Sequence, residues 1–81
     1  MPARRNPRPD WVLARRVDLG HRIADLRRRA ELSQEQLGNL AGIDRRSIQR
    51  YENAVRDPQF SDLLVIAHAL RVHVADLLGQ Q

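Results

Sequence analysis

Two helix starts separated by one glycine turn constrain this chain more than any other feature. Ser33-Gln34-Glu35-Gln36 forms a capping box, in which the Ser33 hydroxyl accepts from the Gln36 amide and the Gln36 side chain reaches back to the Ser33 amide. The helix it opens begins at Gln34, carries Leu37, Leu40 and Ala41 on one face and stops at Gly42, which tolerates the left-handed backbone of a sharp turn. Only Ile43 intervenes before Asp44, itself a capping residue. At about 100° per residue the next helix places Arg45, Arg46, Gln49 and Arg50 on one face and sets Ile48 and Tyr51 opposite. One face packs, and the other is made of long hydrogen-bond donors.

The rest of the chain also has helical periodicity. Leu13, Val17, Gly20, Ile23, Leu26 and Ala30 recur at steps of four and three, with Asp10 as a candidate cap and a break or bend expected near Gly20, which weakens a helix interior by about 1 kcal/mol. Beyond Pro58, Leu63, Ile66, Ala67 and Leu70 mark a helix from about Ser61 to Leu70. A short last helix, about Val74 to Leu78, ends at Gly79. Apolar residues alternate at period two only briefly, over Leu70, Val72 and Val74, too short for a sheet, so the expected fold class is all-α with five short helices. The first nine residues hold three prolines and three arginines and cannot bury enough apolar surface to order themselves. The expected organisation is a basic arm over 1–9 and one helical domain over 10–81.

A single domain of 81 residues has room for one core and little for a substrate cavity, so enzymatic activity is not expected. No cysteine is present, which removes disulfides and thiolate metal sites. The longest apolar run, Leu63 to Ala67, is far short of the ~20 residues that span a bilayer. The N-terminal segment lacks the apolar stretch of a secretory signal, and the expected location is the cytoplasm. All 14 basic side chains are arginine, and they are unevenly spread. Residues 1–29 hold nine Arg and three Asp, a net charge of +6; residues 30–56 balance four Arg against four acids; residues 57–81 hold one Arg and three Asp, a net charge of −2. A molecule basic at one end points to a polyanionic partner, most often nucleic acid, although charge alone leaves a membrane surface open.

Two short helices joined by a glycine turn, the second displaying arginines and glutamine outward, form a helix-turn-helix arrangement. Several anchors then coincide in spacing: Ile23 and Arg27, Leu32 to Leu37, Ala41-Gly42-Ile43, Ile48 with Tyr51-Glu52, Arg56, Pro58, Ile66-Ala67 with Leu70, Val72 and Leu77. On these residues, Leu19 to Leu78 resembles the Cro/lambda-repressor type of helix-turn-helix domain, the XRE family. The resemblance implies base-reading positions at Arg45, Arg46 and Arg50 with Gln49 adjacent, and phosphate contacts at Gln34, Asn53 and Arg56. It also implies a structural pair between Arg27 and Glu52 that holds the angle of the reading helix. Four positions depart from the family pattern. Gly38 stands where a small residue, usually Ala, lets the motif helices approach. Glu31 and Ala54 replace common glycines, leaving Asn53 to take the left-handed conformation in place of Ala54. Asp44 holds a cap often given to Ser or Thr.

The function so implied is sequence-specific binding of double-stranded DNA as a transcriptional regulator without a cofactor, as a homodimer on an inverted repeat. An antitoxin-type module, with a toxin as protein partner and autoregulatory DNA binding, is the alternative. Arg4, Arg5 and Arg8 of the arm are either an inert tail or minor-groove and phosphate contacts. Trp11 and Leu13 either cover the core edge or line a dimer contact, and Leu64 and Val65 raise the same question. Charge favours a dimer surface away from DNA, around Val74, Leu77 and Leu78 with Trp11. His21, His68 and His73 have no metal-ligand spacing, nothing brackets a nucleophile, and no Gly-rich phosphate loop is present.

Overall fold

The computed structural model describes residues 8–79. Among them are five helices and no strand: α1 (Asp10–Arg29), α2 (Gln34–Ala41), α3 (Arg45–Glu52), α4 (Phe60–Leu70) and α5 (Val74–Leu77). The capping box at the start of α2 forms as the sequence requires: Ser33 Oγ accepts from the Gln36 amide at 3.0 Å, and Gln36 Oε1 accepts from the Ser33 amide at 2.8 Å. Gly42 then takes the left-handed conformation, φ 72°. Arg4 and Arg5 lie outside the described residues. Arg8 is exposed ahead of α1.

Each helix contributes one fully buried aliphatic side chain to a single core: Ile23, Leu37, Ile48, Ile66 and Leu77. Each such burial contributes about 1.5–3 kcal/mol, so the five helices are mutually dependent. Leu77 is 0% exposed, which corrects its expected place on a dimer surface: α5 is one turn long and turns its one buried residue inward. Leu40 departs in the opposite sense. It shares the apolar face of α2 by periodicity, yet it is 62% exposed, because α2 meets α3 and α4 through Leu37 and the short side of its surface.

The expected break in α1 does not occur; the helix runs unbroken through Gly20. The reason lies across the domain. A Cβ at Gly20 would stand 2.5 Å from the Glu52 carbonyl oxygen and 2.7 Å from that of Tyr51, so the glycine lets the end of α3 press against the middle of α1. Gly38 plays the same part in α2, where an added Cβ would run into the Ile43 carbonyl oxygen.

Three of the chain reversals use left-handed residues other than glycine: Glu31 (φ 58°), Ala54 (φ 58°) and Arg71 (φ 59°). Ala54, not Asn53, takes this conformation after α3; Asn53 has φ −88° and belongs to the last helical turn. The hydrogen bonds explain the choice. The Val55 amide donates to the Arg50 carbonyl at 2.9 Å and the Ala54 amide to that of Tyr51 at 3.2 Å, the paired closure of a Schellman turn, whose left-handed residue is the second after the helix. The same closure joins Leu32 to Arg27 and Glu31 to Arg28 after α1.

Candidate nucleic-acid interface

The geometry of α3 begins with its cap. Asp44 accepts from the Ser47 amide at 3.0 Å and from the Ser47 hydroxyl at 2.8 Å. These bonds, the hydroxyl's first, hold its carboxyl below the usual carboxylate range, so the cap is ionised and fully accepting at neutral pH. From that start Ile48, Tyr51 and Glu52 turn inward, and Arg45, Arg46, Gln49 and Arg50 all lie exposed. Asn53 and Arg56 lie exposed just past the helix.

What fixes the attitude of this surface is a buried network at the inner face of α3. Arg27 Nε donates to Glu52 Oε2 at 2.7 Å and Arg27 Nη2 to Glu52 Oε1 at 3.0 Å, a two-pronged pair; Arg27 Nη1 donates to the Leu32 carbonyl at 2.8 Å. The two side chains are only 11% and 4% exposed. The hydrogen bond to Glu52 holds the Arg27 guanidinium even more firmly protonated than usual. A charge pair this dry adds orientation more surely than net stability, because desolvation offsets much of its attraction. Tyr51 supplies a second tie, its hydroxyl donating to Asp62 Oδ2 in α4. Burial, aided by the neighbouring Asp62, pushes its phenol up to about 12.

Gln34 is drawn into the same network: its Nε2 donates to Glu52 Oε1 at 3.1 Å. The side chain that the resemblance places on a phosphate is thus held against α3, and with the Ser33 and Gln36 amides used in the capping box, the Gln34 and Glu35 amides are the helix-start donors left there. No local spacing signals this contact, since Gln34 and Glu52 meet only when α1, α2 and α3 are packed together. The structure therefore brings Gln34, Arg27 and Glu52 into one cluster, places Asn53 at its edge, and leaves Arg45, Arg46, Gln49 and Arg50 exposed, with Arg45 sharing a hollow with Gln34 at the start of α2.

No metal-ligating cluster of His, Cys, Asp and Glu occurs among the described residues, and no helix there is long and apolar enough to cross a membrane.

Comparison with known proteins agrees with this geometry. The chain is similar to the restriction-modification controller protein C.AhdI from Aeromonas hydrophila, at 34% identity over 79% of this chain and 97% of that one, with a TM-score of 0.77. It is similar to the hypothetical transcription factor NHTF from Neisseria, at 25% identity over 95% of this chain and 86% of that one, TM-score 0.77. It shares the fold of the clp gene regulator ClgR from Corynebacterium glutamicum, at 22% identity over 79% and 68% of the two chains, TM-score 0.76. No curated protein matches it. Residues 18–78, from the second half of α1 through α5, match the family described as a helix-turn-helix domain. With the capped α2–Gly42–α3 unit inside that span and the arginine face turned outward, the chain belongs to the helix-turn-helix domain family, in its Cro/lambda-repressor form.

Proposed function

We propose that this DNA-binding transcription regulator reads duplex DNA sequence-specifically, with α3 in the major groove and Arg45, Arg46, Gln49 and Arg50 at the base edges. The observation that carries the reading is that four long donors stand exposed on one face of α3 while Ile48, Tyr51 and Glu52 anchor the other. Guanidinium forks match the N7 and O6 acceptors of guanine, and Gln49 suits adenine. Asn53, Arg56 and the start of α2 at Gln34 hold the flanking phosphates. The protein acts by binding, in the cytoplasm, and not as an enzyme.

One short helix specifies few base pairs, so two copies on an inverted repeat, with half-site centres about 34 Å apart, complete the site. With Leu77 inside the core, the pairing surface rests on the exposed Leu64, Val65 and Leu78. The same side chains would serve a toxin in the antitoxin-type alternative.

Selection of bound duplexes from a random pool at stated salt tests specificity, symmetry and spacing together. Arg46→Ala or Arg50→Ala should then cost about 1–3 kcal/mol at one base pair per half-site. Equal losses on selected and random DNA would reduce these arginines to phosphate contacts. Light scattering on the complex decides the dimer, which a single chain on a full selected site overturns. Removing residues 1–9 should flatten the salt dependence if Arg4, Arg5 and Arg8 touch phosphate; an unchanged slope marks the arm as inert.

A further inference from the structure

Beside the reading helix lies an open cleft of about 620 Å³ between α1 and the end of α3. Its α1 wall carries His21 and Arg28, and its far side carries Gln34, Glu52 and Asn53. His21 and Arg28 are two helical turns apart on one face of α1, and both are exposed. The ion pairs among the described residues employ Arg16, Arg27 and Arg29, and none of them uses Arg28. The one acid in the lining, Glu52, is already held by Arg27 and Gln34. The remaining polar side chains of the cleft, beside the aliphatic Val17, Ala24 and Ala54, are an imidazole, a guanidinium and two carboxamides, which suit an anion.

Other charged groups border the cleft without entering it. On α1, Asp18, Arg22 and Asp25 share with His21 a separate depression on its other side, and Asp25 is paired with Arg29 at 3.1 Å. On α2, Glu35 faces a different hollow with Arg45. Beyond α3, Asp57 pairs with Arg16 at 3.5 Å.

Resting on the DNA reading above, we propose that the cleft seats one phosphate of the DNA backbone next to the segment read by α3. Arg28 supplies its fixed charge, and His21 acts as a proton-dependent second donor. Gln34 and Asn53 bring the strand past the cleft, and the α1 wall closes on it. A phosphodiester beside the imidazole favours the charged form, so the complex takes up a proton and affinity falls as pH rises through the range where histidine titrates.

The test is anisotropy titration of the full chain with a selected duplex, across salt and from about pH 5.5 to 8. Arg28→Gln should lower the steepness of log K against log salt by about 0.9 per chain. Replacing one flanking phosphate by a neutral methylphosphonate should weaken the native protein and leave Arg28→Gln indifferent. His21→Gln should remove the fall of affinity with pH, whereas His68→Gln and His73→Gln should keep it. Circular dichroism establishes that these surface variants fold. A native salt slope in Arg28→Gln, or a pH dependence surviving in His21→Gln, would overturn the phosphate seat and leave the DNA reading standing. Failure to select any duplex would overturn both.

Discussion

Gly20→Ala should destabilise this domain, although the same change in an isolated helix is stabilising by about 0.5–1 kcal/mol. The new methyl group would lie 2.5 Å from the Glu52 carbonyl oxygen and 2.7 Å from that of Tyr51, and 3.0 Å from the Glu52 carbonyl carbon. All three are backbone atoms, so no side chain can swing away. Either α1 or the end of α3 must move by the better part of an ångström, and overpacking of this kind costs about 1–3 kcal/mol. Net of the propensity gain of about 0.5–1 kcal/mol, a loss centred on about 1 kcal/mol and reaching about 2.5 kcal/mol follows, and for a domain of this size each kcal/mol lowers the melting temperature by about 4–8 °C. Movement at Glu52 also disturbs the Arg27 pair, so the reading face tilts and affinity for a selected duplex falls beyond what the unfolded fraction explains. Urea titration followed by circular dichroism gives the first quantity, and anisotropy below the transition gives the second. Ala14→Gly, on the exposed side of α1, calibrates pure propensity. A more stable Gly20→Ala protein would show that the glycine is a local weakness of α1 and not the seat of a helix contact.

Ala54→Gly should stabilise by about 0.5–1 kcal/mol in urea titration, because a left-handed alanine costs about 1–2 kcal/mol and the added freedom of the unfolded glycine returns part of it; DNA affinity should change less than about twofold. Glu52→Leu strands a buried guanidinium and should cost about 3–5 kcal/mol, whereas Arg27→Met with Glu52→Leu should recover most of that stability while still binding DNA less tightly. Tyr51 keeps its proton in the folded state to about pH 12, against about 10 unfolded. Stability is therefore full below pH 10 and falls by up to about 1.4 kcal/mol per pH unit between 10 and 12. Phenolate absorbance reports the chain's single tyrosine directly, and Tyr51→Phe should abolish that window.

The helix ends were legible because their chemistry is local. Ser33 with Gln36, Gly42 and Asp44 with Ser47 all act within a few residues, and each forms as its spacing demands. The exposed arginine face of α3 was legible for the same reason, since one helix fixes it. What the sequence hid depends on a second element. Gly20 looks like a flaw in α1 until the carbonyls of α3 are set beside it. Leu77 and Leu78 are adjacent apolar residues, and only the packing of α5 decides that the first is in the core and the second is partly exposed. Gln34 reads as a free helix-start donor until folding brings Glu52 within 3.1 Å. Arg71 gives no hint of its left-handed backbone, which the Schellman closure of Val72 to Ala67 after α4 imposes.

The two sides of α3 therefore answer to different demands, and this separates two kinds of substitution. Arg45, Arg46, Gln49 and Arg50 are exposed, so on the proposed reading changing them should alter what is read without altering whether the domain folds. Their surroundings are water, and exposed positions of this sort usually shift stability by no more than about 0.5 kcal/mol. Gly20, Arg27, Tyr51 and Glu52 occupy the other side, where each contact crosses to another helix: to α1 by close backbone approach and by the paired charges, and to α4 through Asp62. On the proposed reading a change there should not be confined to stability, because the same contacts hold the helix that presents the four donors. A misplacement of about 1 Å in a rigid reading head is enough to break paired hydrogen bonds whose heavy atoms must lie at about 2.7–3.2 Å. On the proposed reading, specificity changes through the outer face while Arg27, Tyr51 and Glu52 hold the helix that carries it.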